Sequence, residues 1–188
     1  MSNMLRKGIL LLGLLLMAAC SMPETRIYSL HLPADSNKGQ ARKQTMITLK
    51  VQSPRYLSQP YIAHRLSPYQ LDISRYAKWD SAPDEMVREI FRNALAAQYQ
   101  DVRASNYVSE GSLLLNINLQ RFEQVNGSYA ELAFDAVLYS AEGKELYRIE
   151  EQKRLEIDTK DTAGVAKGLS AALNEAVKEV LAGLATKI

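Results

Sequence analysis

The chain has 188 residues, with 23 Lys+Arg against 21 Asp+Glu, two His and a single Cys. That length suits one domain able to bury a substantial core. A lone cysteine rules out an internal disulfide and a multi-cysteine metal site, and the near-balanced charge argues against nucleic acid, whose phosphates are held by clustered excess Lys and Arg.

The chain opens on a basic pair, Arg6-Lys7, followed by an unbroken apolar run from Gly8 to Met17 and then Ala18-Ala19-Cys20. A basic start, a short apolar stretch and small residues before a cut are the parts of a secretory signal peptide. The uncharged stretch from Gly8 to Pro23 falls short of the roughly 20 apolar residues a bilayer span requires. Met17-Ala18-Ala19-Cys20 resembles the bacterial lipobox, with Met17 in place of its usual leucine. The resemblance implies removal of residues 1–19 and acylation of Cys20, with palmitate as a typical chain. No other cofactor is implied. Two or more acyl chains anchor stably where one is marginal, at about 0.8 kcal/mol per buried CH₂. Cleavage takes away Arg6 and Lys7 and no acid, which leaves a mature chain without net charge. The expected plan is a signal peptide over 1–19, a lipidated N-terminus and tether over 20–26, and a single periplasmic domain over 27–188.

Arg26–Leu32 alternates and reads as a first strand; Pro33–Thr45 is polar and reads as a loop. Met46–Gln52 alternates again, as a half-buried strand that Pro54 and Pro60 terminate, each removing a ladder donor. Tyr61–Leu66 and Tyr69–Ser74 are two short strands around a turn at Ser67-Pro68. Ser81 is positioned to cap a helix, with Pro83 in its first turn and Asp84 favouring the dipole. Met86, Val87, Ile90, Phe91, Ala94 and Leu95 recur at helical spacing, so the helix is expected from Ser81 to about Tyr99.

From Ser112 the period becomes two. Leu113, Leu115, Ile117 and Leu119 face one way and Asn116, Asn118 and Gln120 the other. Asn126-Gly127 signals a hairpin. Ala130, Leu132, Phe134, Ala136 and Leu138 alternate next, Glu142-Gly143 marks a second turn, and a charged strand runs from about Glu145 to Ile157, a composition suited to a protected edge. Asp161-Thr162 opens a last helix with an apolar stripe from Val165 to Leu184, whose small residues, Gly168 and Gly183 among them, permit close approach to a sheet. The pattern is α+β: a mostly antiparallel sheet including a C-terminal three-stranded meander, with two helices packed on one face.

Nothing in this order carries catalytic chemistry. His31 and His64 stand alone in strands, no metal-ligand spacing occurs, and no nucleophile, phosphate-cradle or metalloprotease motif is present. The carboxylates are interleaved with bases, as on a solvated face. The expectation is a protein that is not an enzyme and holds no metal. The informative stretch is Ser53–Asp80, rich in Pro and Tyr and holding the one tryptophan, Trp79. Tyr and Trp gather where one side must be apolar and the other wet, as at interfaces.

The lipobox, the Tyr28-Ser29-Leu30 strand, the second strand running into Pro54-Arg55-Tyr56-Leu57, Ile62-Ala63-His64-Arg65, the approach Tyr76-Ala77-Lys78-Trp79 to a helix and the Leu115–Phe122 strand occur in one order. Together they resemble the ABC-type transport auxiliary lipoproteins, the PqiC-like family. The chain departs from that pattern at Asp80-Ser81-Ala82-Pro83, where the family more often has a small residue, then proline and leucine. The resemblance implies a non-enzymatic accessory of an ABC/MCE-type lipid transport system, anchored through Cys20 and docking the MCE-domain component. Ser21 follows Cys20 where an aspartate would signal inner-membrane retention, which favours the outer membrane, facing the periplasm. Candidate docking or packing residues are Pro54, Tyr56, Leu57, Arg65 and Trp79. A homo-oligomer is a further expectation. The competing reading is a lipoprotein plug or chaperone of an outer-membrane assembly machine of the lipopolysaccharide-assembly type, with a β-barrel as partner. A third is direct lipid carriage beneath the helices.

Overall fold

One strand, thirteen residues long, organises the sheet. β6 (Leu113–Val125) runs antiparallel along its whole length to β7 (Tyr129–Tyr139), which is paired in turn with β8 (Glu145–Glu156). The other edge of β6 is shared. Its first half pairs in parallel with β2 (Lys43–Gln52) and its last three residues with β3 (Tyr61–Ser67), so the sheet divides along β6. In the gap sits one 3₁₀ turn, η1 (Arg55–Leu57). The computed structural model describes residues 24–33 and 42–188. The signal peptide expected over 1–19, Cys20, most of the expected tether and residues 34–41, within the stretch expected to be a loop, lie outside the described residues.

β3 turns into β4 (Gln70–Trp79) through Pro68-Tyr69, and β1 (Arg26–Tyr28) adds in parallel to the far side of β4. β5 (Tyr99–Ala104) adds in parallel to the free edge of β2. The resulting eight-stranded sheet is mixed, and its longest ladders, β6–β7 and β7–β8, are antiparallel. Helices α1 (Pro83–Ala96) and α2 (Thr162–Ala185) cover one face. The fold is the expected α+β arrangement, with the meander at β6–β8.

Local chemistry explains most boundaries. Asn126 and Gly127 both take positive φ, 50° and 66°, the geometry their hairpin requires. Asp161 caps α2, accepting from the Gly164 amide at 2.8 Å. Core residues come from every layer: Ile47 and Leu49 of β2, Leu115 and Ile117 of β6, Phe134 of β7, Phe91 of α1 and Leu173 of α2 are fully buried, with Phe91 edge-on to Phe134. A methyl group added at Gly183 would overlap the ring and hydroxyl of Tyr147, so α2 lies as close to β8 as glycine allows.

Four local expectations are corrected. β1 stops at Tyr28 rather than Leu32, because β4 ends beside it at Trp79; the chain then leaves the sheet and the His31 amide donates to Ser170 Oγ of α2. β2 begins at Lys43, not Met46, because its early residues find a partner in β5. α1 ends at Ala96, and Tyr99, which continues its apolar spacing, is instead the buried first residue of β5. Ser81 does not cap α1. The N-cap is Ala82, without a side-chain bond, and Ser81 Oγ donates to Glu85 Oε2 at 2.6 Å.

Candidate functional site

The Pro-bounded segment after β2 is a shoulder seated in the gap between β2 and β3. Pro54 and Arg55 are exposed on it, and Leu57 points inward and is fully buried. Between them, half-buried Tyr56 directs its hydroxyl at both Glu123 Oε2 and the carbonyl oxygen of Gln120, each 3.2 Å away. Gln120 is the extra residue of a bulge in β6, where the register with β7 slips between Leu119 and Arg121. A bulge leaves its extra residue without a ladder partner, and the Tyr56 hydroxyl serves this one.

Glu123 is the centre of the arrangement. It is 1% exposed and takes two hydrogen bonds from Arg65 of β3, Nε to Oε1 at 2.6 Å and Nη2 to Oε2 at 3.0 Å. The fork matches a carboxylate at both oxygens. Burial, and then the neighbouring Glu123 carboxylate, push the Tyr56 hydroxyl above its ordinary pKa. Its hydrogen bonds to Glu123 raise Arg65 as well. Both groups therefore keep their protons.

Beside the shoulder a polar groove of about 600 Å³ runs over the face of the sheet away from the helices, bounded by Gln52, Pro54, Asn118, Gln120, Asp135 and Arg148. Gln120 Nε2 donates to Asp135 Oδ2 at 2.8 Å, and Asn116 Oδ1 is buried there without a partner among the described residues. Amides and one carboxylate in an open groove suit a polar surface better than an acyl chain. Among the described residues no group of His, Cys, Asp and Glu is placed to hold a metal ion.

The five candidate residues therefore divide. Tyr56 and Arg65 meet on Glu123, and Pro54 is on the exposed rim. Leu57 and Trp79 belong to the core, which corrects their candidacy for docking: a partner has no access to them. Trp79 is 2% exposed and edge-on to Phe122, with ring centroids 5.6 Å apart, and its indole N–H has no partner among the described residues. A leucine in an irregular segment and a tryptophan before a helix carry the same signature whether they plug the core or coat a surface. Glu123 and the bulge escaped the sequence reading. The signal was present in the spacing: Leu119 to Phe122 breaks the period of two, as an inserted residue must.

Comparison with known proteins places this geometry. The model of the ABC-type transport auxiliary lipoprotein component family matches residues 28–181. A search of curated protein sequences finds no match. Two crystal structures share the fold. One, from Xanthomonas campestris and of family DUF330, has TM-score 0.71 at 19% identity and covers 82% of this chain and 92% of its own. The other, titled an uncharacterized protein, has TM-score 0.69 at 15% identity over 86% of this chain and 99% of its own. The match to the family model takes in β2, the shoulder, the meander and most of α2, and on that extent the chain belongs to the ABC-type transport auxiliary lipoprotein components.

Proposed function

We propose that this accessory component works in an ABC/MCE-type lipid transport system, held at the outer membrane by acyl chains on Cys20, with the shoulder at Pro54–Tyr56 and the adjoining groove docking the MCE-domain protein. The observation that carries this reading is the way the shoulder is built. Leu57 nails it to the core, Tyr56 ties it to the Glu123–Arg65 pair, and Pro54 and Arg55 are left outside. A surface loop locked in one conformation loses little entropy when a partner binds it. Irregular segments on a rigid scaffold are where binding residues concentrate. Among the described residues no helix is long and apolar enough to cross a membrane, so attachment in this reading falls to Cys20.

The test is co-purification from membranes. A chain carrying Pro54→Ser and Arg55→Glu is expected to fold normally and to recover much less of the MCE-domain protein than wild type does. Undiminished recovery sinks the shoulder as the docking surface. A photo-crosslinker at Arg55 names the partner directly, and capture of a β-barrel instead of an MCE-domain protein would favour the outer-membrane assembly reading.

A further inference from the structure

The β3–β4 hairpin ends in Leu66-Ser67-Pro68-Tyr69, and this tip has no place in the docking surface described above. Tyr69 is 99% exposed and Leu66 50% exposed. From Leu66 to Leu71 no residue is charged. Pro68 fixes its own φ, and the Tyr69 amide donates to Ser67 Oγ at 3.3 Å, so the tip is an ordered projection.

The register of the sheet relates this tip to the N-terminus. β1 is parallel to β4, with Arg26 beside Ala77 and Tyr28 beside Trp79. β4 runs away from the tip, so β1 also enters the sheet from the tip's side. Cys20 is six residues before Arg26 and is held by covalent reach within about 20 Å of it. Gln70 at the tip pairs with Ser67 and Lys78, next to Ala77, with Tyr61, six residues apart on β3 and so roughly 20 Å at 3.3 Å per residue. The two lengths match.

We propose that the tip is a second membrane contact, with Leu66 and Tyr69 entering the headgroup region of the bilayer that holds Cys20. This rests on the anchored reading given above. Tyrosine suits that depth, its ring in the apolar boundary and its hydroxyl in water. A protein partner fits less well. Stable protein interfaces bury about 1,200 Å² or more, beyond a four-residue tip, whereas a bilayer sets no such minimum. One contact besides the lipid would also fix the tilt of the domain over the membrane.

The full chain, acylated in cells, is reconstituted into phosphatidylethanolamine–phosphatidylglycerol vesicles with brominated acyl chains. Tyr69→Trp places a fluorophore at the tip, and Tyr107→Trp places one on the loop between β5 and β6. Tyr107 is 86% exposed, and its loop bonds Thr48, beside Leu114 at the start of β6. That is about 35 Å along the strand from Val125 at the hairpin end. Buried Trp79 contributes the same background to both. The expected result is that bromine quenches the fluorescence added in Y69W and leaves that added in Y107W. Equal quenching, or none, in a chain that floats with the vesicles overturns the tip contact and leaves the anchor standing. A Y69W signal untouched by bromine yet shielded from a soluble quencher means that protein covers the tip, and also overturns it. Wild type that fails to float overturns the anchored reading and this inference with it.

Discussion

Glu123 and Glu131 stand directly opposite each other on β6 and β7, at 1% and 2% exposure, and each is met by its own arginine. Arg65 of β3 forks onto Glu123, and Arg121 of β6 pairs with Glu131. Two carboxylates at opposed positions of a ladder repel, and burial strengthens the repulsion. The two arginines make the pair tolerable. Removing Arg65 alone therefore strands a buried charge beside another. Arg65→Met is expected to lower stability by about 3 kcal/mol. Pairing it with Glu123→Gln should restore part of the loss, because the uncompensated charge leaves as well. Urea unfolding followed by Trp79 fluorescence measures both. A double variant less stable than Arg65→Met would refute this account.

The division of the shoulder between core and surface makes a second prediction. Leu57→Ala should cost about 2–5 kcal/mol, the usual range for truncating a buried leucine. Pro54→Ser with Arg55→Glu should stay within about 0.5 kcal/mol of wild type, as exposed substitutions do. Thermal unfolding separates them. A large destabilisation by the exposed pair would mean that lost docking in that variant reports on folding.

Close approach of α2 to β8 predicts an inverted helix propensity. Alanine in place of a helical glycine ordinarily stabilises by about 1 kcal/mol. At Gly183 the added methyl meets Tyr147, and overpacking of this kind costs about 1–3 kcal/mol. Gly183→Ala should therefore lower the melting temperature, and Tyr147→Leu in the same chain should recover it. A stabilised Gly183→Ala would contradict the close approach.

Asp161 gives a pH dependence with a definite sign. The Gly164 amide, and then the Thr159 hydroxyl, hold its carboxyl below the ordinary 3.8. A carboxylate whose folded pKa is depressed contributes stability above its unfolded pKa and loses it as pH falls through the folded value. The stability gap between wild type and Asp161→Ala should be constant at neutral pH and narrow below about 3.8, the unfolded value. Asp161→Asn, which caps without titrating, should show no such narrowing. Acid titration of thermal stability for the three chains decides it, and a gap that widens on acidification reverses the sign.

Attachment is tested at the thiol. Cys20→Ala should fold and leave the membrane fraction. Sedimentation with outer membranes in high salt would sink the acyl anchor.

Features set by near neighbours were legible in the residue order. The period of two in Leu113–Leu119 and Ala130–Leu138 marked two strands, Asn126-Gly127 their turn, and Asp161 the start of α2. Each depends on interactions within a few residues, so its trace is local and periodic. The charged composition of β8 likewise announced an edge, and among the described strands it pairs with β7 alone. The remaining features arise from contacts between distant segments. Tyr99 carries the spacing of α1 and joins β5, because a free edge of β2 lies within reach. Leu57 and Trp79 are core residues because the sheet divides along β6 and leaves a gap to fill. Tyr56, Arg65, Glu123 and Glu131 form one cluster because a single inserted residue at Gln120 resets the register of β6. Pairings between distant strands leave no periodic mark in either partner, since they arise only when loops close and remote side chains share one buried volume.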